Sequence, residues 1–249
     1  MRTPPEIDLF TPSSFPRAVT AGVVGRSPAA RDGRGLSFTP GKATPEADAR
    51  ESRAVLASRL GVSIPDLVFA RQVHGARVVP IVRGAPAGEA DGMVTDETGL
   101  VLCLSIADCC AILVCDPARG TVGAFHAGWR GARDGVAAAG LSAMRDCFGT
   151  RPRDLLVYLS PRASADRYEV GEEVARLLPA SVRRAQGGEP RWNLDLSAEI
   201  SRQLVASGVQ ESSIEISPIC SIGDARCHSH RRDGAASGRM VAFIARTAV

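Results

Sequence analysis

Two imidazoles and one thiolate make a metal site with three protein ligands and an open fourth position. This chain of 249 residues carries candidates for all three. Its four histidines are His74, His126, His228 and His230. Each stands at or just beyond the end of a strand-like run or in a Gly/Arg-rich loop. His74, Cys109 and His126 are far apart in sequence, as in catalytic sites held by a sheet, and unlike the CxxC and HxxxH clips of structural zinc. The same side chains allow a second chemistry without metal. Cys109 can act as a nucleophile with His126 or His74 as its base.

Other polar groups gather near these three. HAGWRG (126–131) places glycines, among them Gly128, where backbone can approach a ligand, and it opens a helical segment whose first N–H groups favour anions. Arg130 adds a cation there. CHSHRRDGAASGRM (227–240) offers Arg231 and Arg232, and guanidinium grips phosphate or carboxylate in a bidentate fork. Asp108 and Glu169 are candidate proton shuttles, and Asp108 can equally orient a ligand or a backbone turn.

The elements that must hold these groups are readable. Gly99 to Gly131 contains three short apolar runs, LVLCLSI, CAILVC and TVGAF, bounded by Asp-Pro and Gly, which predicts three buried strands. Asp108 and Cys109 follow the first and His126 follows the third. Upstream, residues 1–16 predict an irregular arm, 18–24 a strand, and GRSPAARDGRG a loop. A helix is expected from about Pro45 to Gly61. LVFARQVH (67–74) and ARVVPIV (76–82) predict a hairpin joined near Gly75, and ADGMVTD a short strand. Downstream, a helix of some 16–18 residues is expected after His126, with Val136, Gly140, Met144 and Cys147 on one face and Gly149 at its end. A strand at 155–161, a helix stopped by Pro179, a helix from about Leu196 or Ser197 to Gly208, and strands at 214–220 and 238–246 complete the reading. Interleaved helices and strands with hairpins predict an α+β (mixed α/β) fold, one domain over residues 1–249 with mixed sheets flanked by helices.

Composition narrows the function. The chain is 45% hydrophobic and 23% charged, an ordinary globular balance. Its net charge of +3 comes from dispersed basic and acidic residues with few aromatics, so no nucleic-acid partner is expected. No apolar run reaches the roughly 18–20 residues of a membrane span, and no secretory leader pattern opens the chain. A cytoplasmic location is expected. Seven cysteines without a CxxC argue against a disulfide scaffold.

RQVHGARVV (71–79), EADGMVTD (89–96), LSIADCC (104–110), VGAFHAGWRG (122–131), YEVGEEV (168–174) and SHRRDGAASGRMVAFI (229–244) occur in the order that resembles the YfiH-like family. That family is also called laccase-domain, polyphenol oxidase or peptidoglycan editing factor. The resemblance runs from about residue 67 to the C-terminus, and residues 17–66 diverge. So do 159–167, where LSPRASADR stands before YEV. The resemblance implies that His74, Cys109 and His126 bind a metal, usually zinc, with copper possible at the same site. It implies purine nucleoside phosphorylase activity on adenosine, inosine and methylthioadenosine, with adenosine deamination. The expected partners are therefore a purine nucleoside and phosphate. Alternative implied roles are the editing of cell-wall precursors and a metal-free Cys/His hydrolase, since the family's fold resembles the catalytic domain of cytotoxic necrotising factor toxins. Four histidines are too few for a multicopper oxidase centre, because Cu(II) favours many nitrogen donors.

Overall fold

The structure, a computed structural model, describes residues 7–27, 35–184 and 191–247. Part of the loop expected after residue 24 and part of the Arg-rich stretch before residue 192 lie outside the described residues. Strand β1 (Leu9–Phe10) pairs with β2 (Val19–Val24), so the expected irregular arm contains a short strand. Helix α1 (Glu46–Leu60) starts after Pro45 and ends at Gly61, whose φ of 68° closes it in the left-handed region. Next come β3 (Leu67–Phe69), β4 (Val78–Pro80) and β5 (Gly92–Thr95). The central run gives β6 (Val101–Ile106), β7 (Cys110–Asp116) and β8 (Thr121–Ala127).

Helices α2 (Trp129–Arg133) and α3 (Val136–Phe148) replace the single expected helix. The break falls at Gly135, with φ 79°, a conformation that residues with a Cβ rarely adopt. Val136, Gly140 and Met144 are buried as their spacing requires, whereas Cys147 is exposed near the C-terminal end of α3. The chain continues through β9 (Leu156–Leu159), β10 (Glu169–Val170) and α4 (Glu172–Leu177) to β11 (Val182–Arg184) and β12 (Trp192–Leu194). Helix α5 (Leu196–Ala206) is capped by Asp195, one residue earlier than expected, whose side chain accepts from Ala198 N. Strand β13 (Ile214–Ile216), the short α6 (His230–Asp233) and β14 (Met240–Arg246) close the order.

These elements form a five-stranded sheet (β1-β2-β14-β6-β3), a six-stranded sheet (β13-β9-β7-β8-β5-β4) and a small three-stranded sheet. Alternate residues sort the layers. Leu102, Leu104, Met240 and Ala242 from one large sheet meet Ala111, Leu113, Val122 and Ala124 from the other. On the outer face of the six-stranded sheet, Ile112, Val114 and Phe125 pack under α3 and α5. On the outer face of the other, Cys103, Val241 and Phe243 pack under α1. Both sheets are thus covered on both faces, which is why β6, β7 and β14 read as unbroken apolar runs rather than alternating ones. The mixed α/β architecture agrees with the sequence.

The hairpin expected at 67–82 does not form. β3 pairs in parallel with β6, and β4 pairs in parallel with β5 in the other large sheet. Residues 70–77 therefore cross from sheet to sheet, and His74 lies in that crossing. The chain crosses again between β6 and β7, where Asp108 and Cys109 lie. The two crossings leave neighbouring parallel strands at the same end of the sandwich, and β8 brings His126 to that end opposite Ala111.

Candidate metal centre and its cleft

The donor atoms of His74, Cys109 and His126 all lie within 4.8 Å of one another. The two imidazole rings meet edge to face with centroids 4.9 Å apart. His126 is buried, Cys109 half-buried and His74 exposed, so the group opens to solvent on one side. His74 sits at φ 62° and Asp108 at φ 79°, two of the few non-glycine residues in the left-handed region among the described residues. Backbone strain of this kind persists only where the surroundings enforce it.

Asp91 enforces it at His74. Its carboxylate is fully buried and accepts from the backbone N–H of Val73 (3.1 Å), His74 (2.9 Å) and Gly75 (2.7 Å). The same carboxylate lies 2.9 Å from Nδ1 of His126. Occupying Nδ1 leaves Nε2 as the free ligand atom, the arrangement usual for a metal-bound histidine with a carboxylate behind it. Gln72 adds a second tether: its side-chain amide donates to Ser105 O (3.0 Å) and accepts from Ser105 N (2.8 Å), so the loop is fixed to the end of β6. Asp91 and Gln72 were not singled out from the sequence. The available signal for Asp91 was one acid immediately before the buried strand β5, where a buried carboxylate needs several partners.

Burial alone would raise the Cys109 thiol, but the adjacent His126 and His74 rings overcome this and bring it down to about 6. Burial alone would lower His126, and the Cys109 and Asp91 charges instead lift it to about 9. Burial also raises the Asp91 carboxyl, yet hydrogen bonds from His126, Gly75 and Val73 leave it below the usual carboxylate value. Each of the two groups thus favours the charged form of the other. A thiolate with two histidines suits zinc, and also Cu(I), in donor type and number. Gly128 explains why nothing crowds the sulfur, because a Cβ there would come within 2.9 Å of Cys109 Sγ.

The triad forms part of the wall of a cleft of about 570 Å³, lined also by Asp108, Trp129, Arg130, Tyr168 and Arg231. Arg130 lies over the Trp129 ring at 4.3 Å, and Arg231 lies over Tyr168 at 5.3 Å. The Arg231 side chain donates to Glu169 O (2.8 Å). Asp108 has both oxygens engaged: one accepts from Ser221 Oγ (2.7 Å), the other from Arg231 N (2.6 Å). It ties the Cys109 turn to α6. Two residues named from the sequence are placed elsewhere. Arg232 donates to the carbonyls of Ser221, Ile222, Asp224 and Cys227 and pairs with Asp233, bracing its own loop outside the cleft lining. The Glu169 carboxylate pairs with Arg191 (3.0 Å) and lines an adjoining bay of about 540 Å³.

A fold of two covered sheets with a His–Cys–His cluster at their shared end defines a recognisable class. The chain belongs to the family described as multi-copper polyphenol oxidoreductase laccase, whose profile matches residues 23–247. Among its relatives, a Mycobacterium tuberculosis protein named purine nucleoside phosphorylase is 37% identical over 199 residues, covering 78% of this chain and 77% of the relative. The crystal structure of YlmD from Geobacillus stearothermophilus superimposes with a TM-score of 0.84 at 30% identity, over 93% of both chains. That of Bacillus licheniformis YfiH gives a TM-score of 0.83 at 28% identity, over 91% of this chain and 92% of the other.

Proposed function

We propose that this protein is a zinc-dependent purine nucleoside phosphorylase acting on adenosine, inosine and methylthioadenosine, with adenosine deaminase activity at the same centre. One observation carries the reading: the three-ligand cluster shares a single cleft with Arg130 and Arg231. Zinc, when bound, supplies Lewis acidity of the kind that lowers the pKa of water to about 7. His74, Cys109 and His126 hold it, and Asp91 aims His126. Arg130 makes no hydrogen bond or ion pair through its side chain among the described residues, so its guanidinium is available to a phosphate oxygen pair. Arg231 keeps donors beyond the one given to Glu169. Asp108, with both oxygens engaged, orients the Arg231 backbone. Relatives named purine nucleoside phosphorylase support the same assignment. The family name points to copper oxidation, but one cluster with two histidines lacks the donors of a multicopper centre, so copper is at most an occupant of the zinc site.

The test is a panel assay of zinc-loaded protein against adenosine, inosine, methylthioadenosine and a UDP-muramoyl amino acid precursor, with products identified. Phosphate-dependent release of base from the nucleosides, and adenosine to inosine conversion, are expected, and His126→Ala should abolish both. Survival of both reactions after metal loss would overturn the zinc assignment. Turnover of the muramoyl precursor alone would assign the site to cell-wall editing.

A second reading has its own observation, the line of Asp91, His126 and Cys109, which is the order of groups in a cysteine hydrolase. His74 separates the two readings. A metal centre needs it as a ligand, so His74→Ala should remove both zinc and activity. A hydrolase using His126 as its base would survive the change.

A further inference from the structure

We propose that the Tyr168 hydroxyl is a substrate-binding donor of the triad cleft, hydrogen-bonding the purine nucleoside that the preceding reading places there. Tyr168 stands in the partition between the cleft and the adjoining bay and lines both. The residue is only 9% exposed and belongs to the apolar cluster beneath the six-stranded sheet that also holds Ala163, Val174, Leu178 and Leu194. The backbone is pinned on both sides: Tyr168 N donates to Ser164 O (2.9 Å), and Leu194 N donates to Tyr168 O (3.0 Å). Arg231 covers the ring face at 5.3 Å. The ring is thus held in position in the cleft wall.

Its polar end is nevertheless unused. Among the described residues the hydroxyl makes no hydrogen bond, and it is not among the polar atoms sealed from solvent without a partner. A nearly buried ring therefore ends in a donor that opens on the cavity. A phenylalanine would fill the same apolar hole without presenting a donor to the cleft. The groups that share the cleft wall with Tyr168 include Cys109, Asp108, Arg130 and Arg231. Both arginines are suited to an anion, and neither carboxylate nor thiolate can donate to a substrate. Tyr168 adds an uncharged donor to that wall, and the complementary ligand atom is a neutral oxygen or nitrogen acceptor, of which a nucleoside carries several.

The test is Tyr168→Phe in the full-length, zinc-loaded protein, with inosine and saturating phosphate. The variant should keep its zinc stoichiometry and melting temperature, raise KM for inosine about tenfold and leave kcat within twofold. That is the pattern of a lost contact made equally in ground and transition states. An unchanged KM alongside active wild type would overturn the proposal and leave the phosphorylase reading standing. Lost zinc or a lowered melting temperature would assign Tyr168 a structural role and also overturn it. Wild-type protein that neither turns over nor binds inosine would remove the phosphorylase reading, and this contact with it.

Discussion

Asp91 accepts hydrogen bonds from three consecutive backbone amides of the His74 loop and also holds His126. Removing it unhooks two ligands at once. Asp91→Ala is expected to weaken zinc binding by roughly 10–100-fold, the range found for partners behind metal ligands, as read by competition with a chromogenic chelator. Gly128→Ala acts from the opposite side. The added methyl would meet Cys109 Sγ at 2.9 Å, so the variant should carry substoichiometric zinc by elemental analysis, while its melting temperature in chelator stays near that of the wild type in chelator. The cluster of His74, Cys109 and His126 was legible in sequence because each ends a strand-like run, where a polar side chain has no packing role to explain it. Asp91 was less legible because it begins a strand and touches no solvent. Arg232 read as an anion ligand because sequence reports a guanidinium but not the four carbonyls that surround it.

At the scale of elements, Phe125 on β8 sits under α3 where Gly140 leaves room, and a Cβ at Gly140 would lie 2.4 Å from the Phe125 ring. Helix and sheet are therefore in contact at a position without slack. Gly140→Ala should cost about 1–3 kcal/mol by overpacking, against the small gain in helix propensity that an exposed site would show; urea unfolding followed by circular dichroism measures it. The same packing explains what sequence could and could not say about strands. Periodicity and burial identify a strand and its covered faces, which is why β6, β7, β8 and β14 were all expected. They do not name its neighbour. The runs at 67–74 and 76–82 fit a hairpin as well as two strands in separate sheets, and only the long-range pairing with β6 and β5 decides.

Across the whole molecule, stability should depend on pH through His228, which is buried with Nε2 2.8 Å from Leu36 O. Burial holds this imidazole below its usual value of 6.5 despite the hydrogen bond to Leu36. The unfolded chain takes up a proton below about pH 6.5 that the folded chain refuses, so the contribution is fully present above that pH and is lost as pH falls. Between pH 7.5 and 5.5 the urea midpoint of the wild-type protein should fall relative to that of His228→Gln, which keeps a donor toward Leu36.

The crossings between the two large sheets have a consequence of their own. His74 and Cys109 each lie on a segment that leaves one sheet for the other, and His126 belongs to the second sheet. An ion held by all three is a staple across the open end of the sandwich, and the unfolded chain, with its ligands dispersed, has no such site. Metal binding and folding are then one linked equilibrium. At free zinc one hundred times its dissociation constant the staple contributes about 2.7 kcal/mol. For a chain of this size that corresponds to roughly 5–11 °C in melting temperature. A thermal melt with and without chelator should show a gap of that order, and the gap should close in Cys109→Ala. An ion that equips the cleft for chemistry would then also raise the temperature at which the fold gives way.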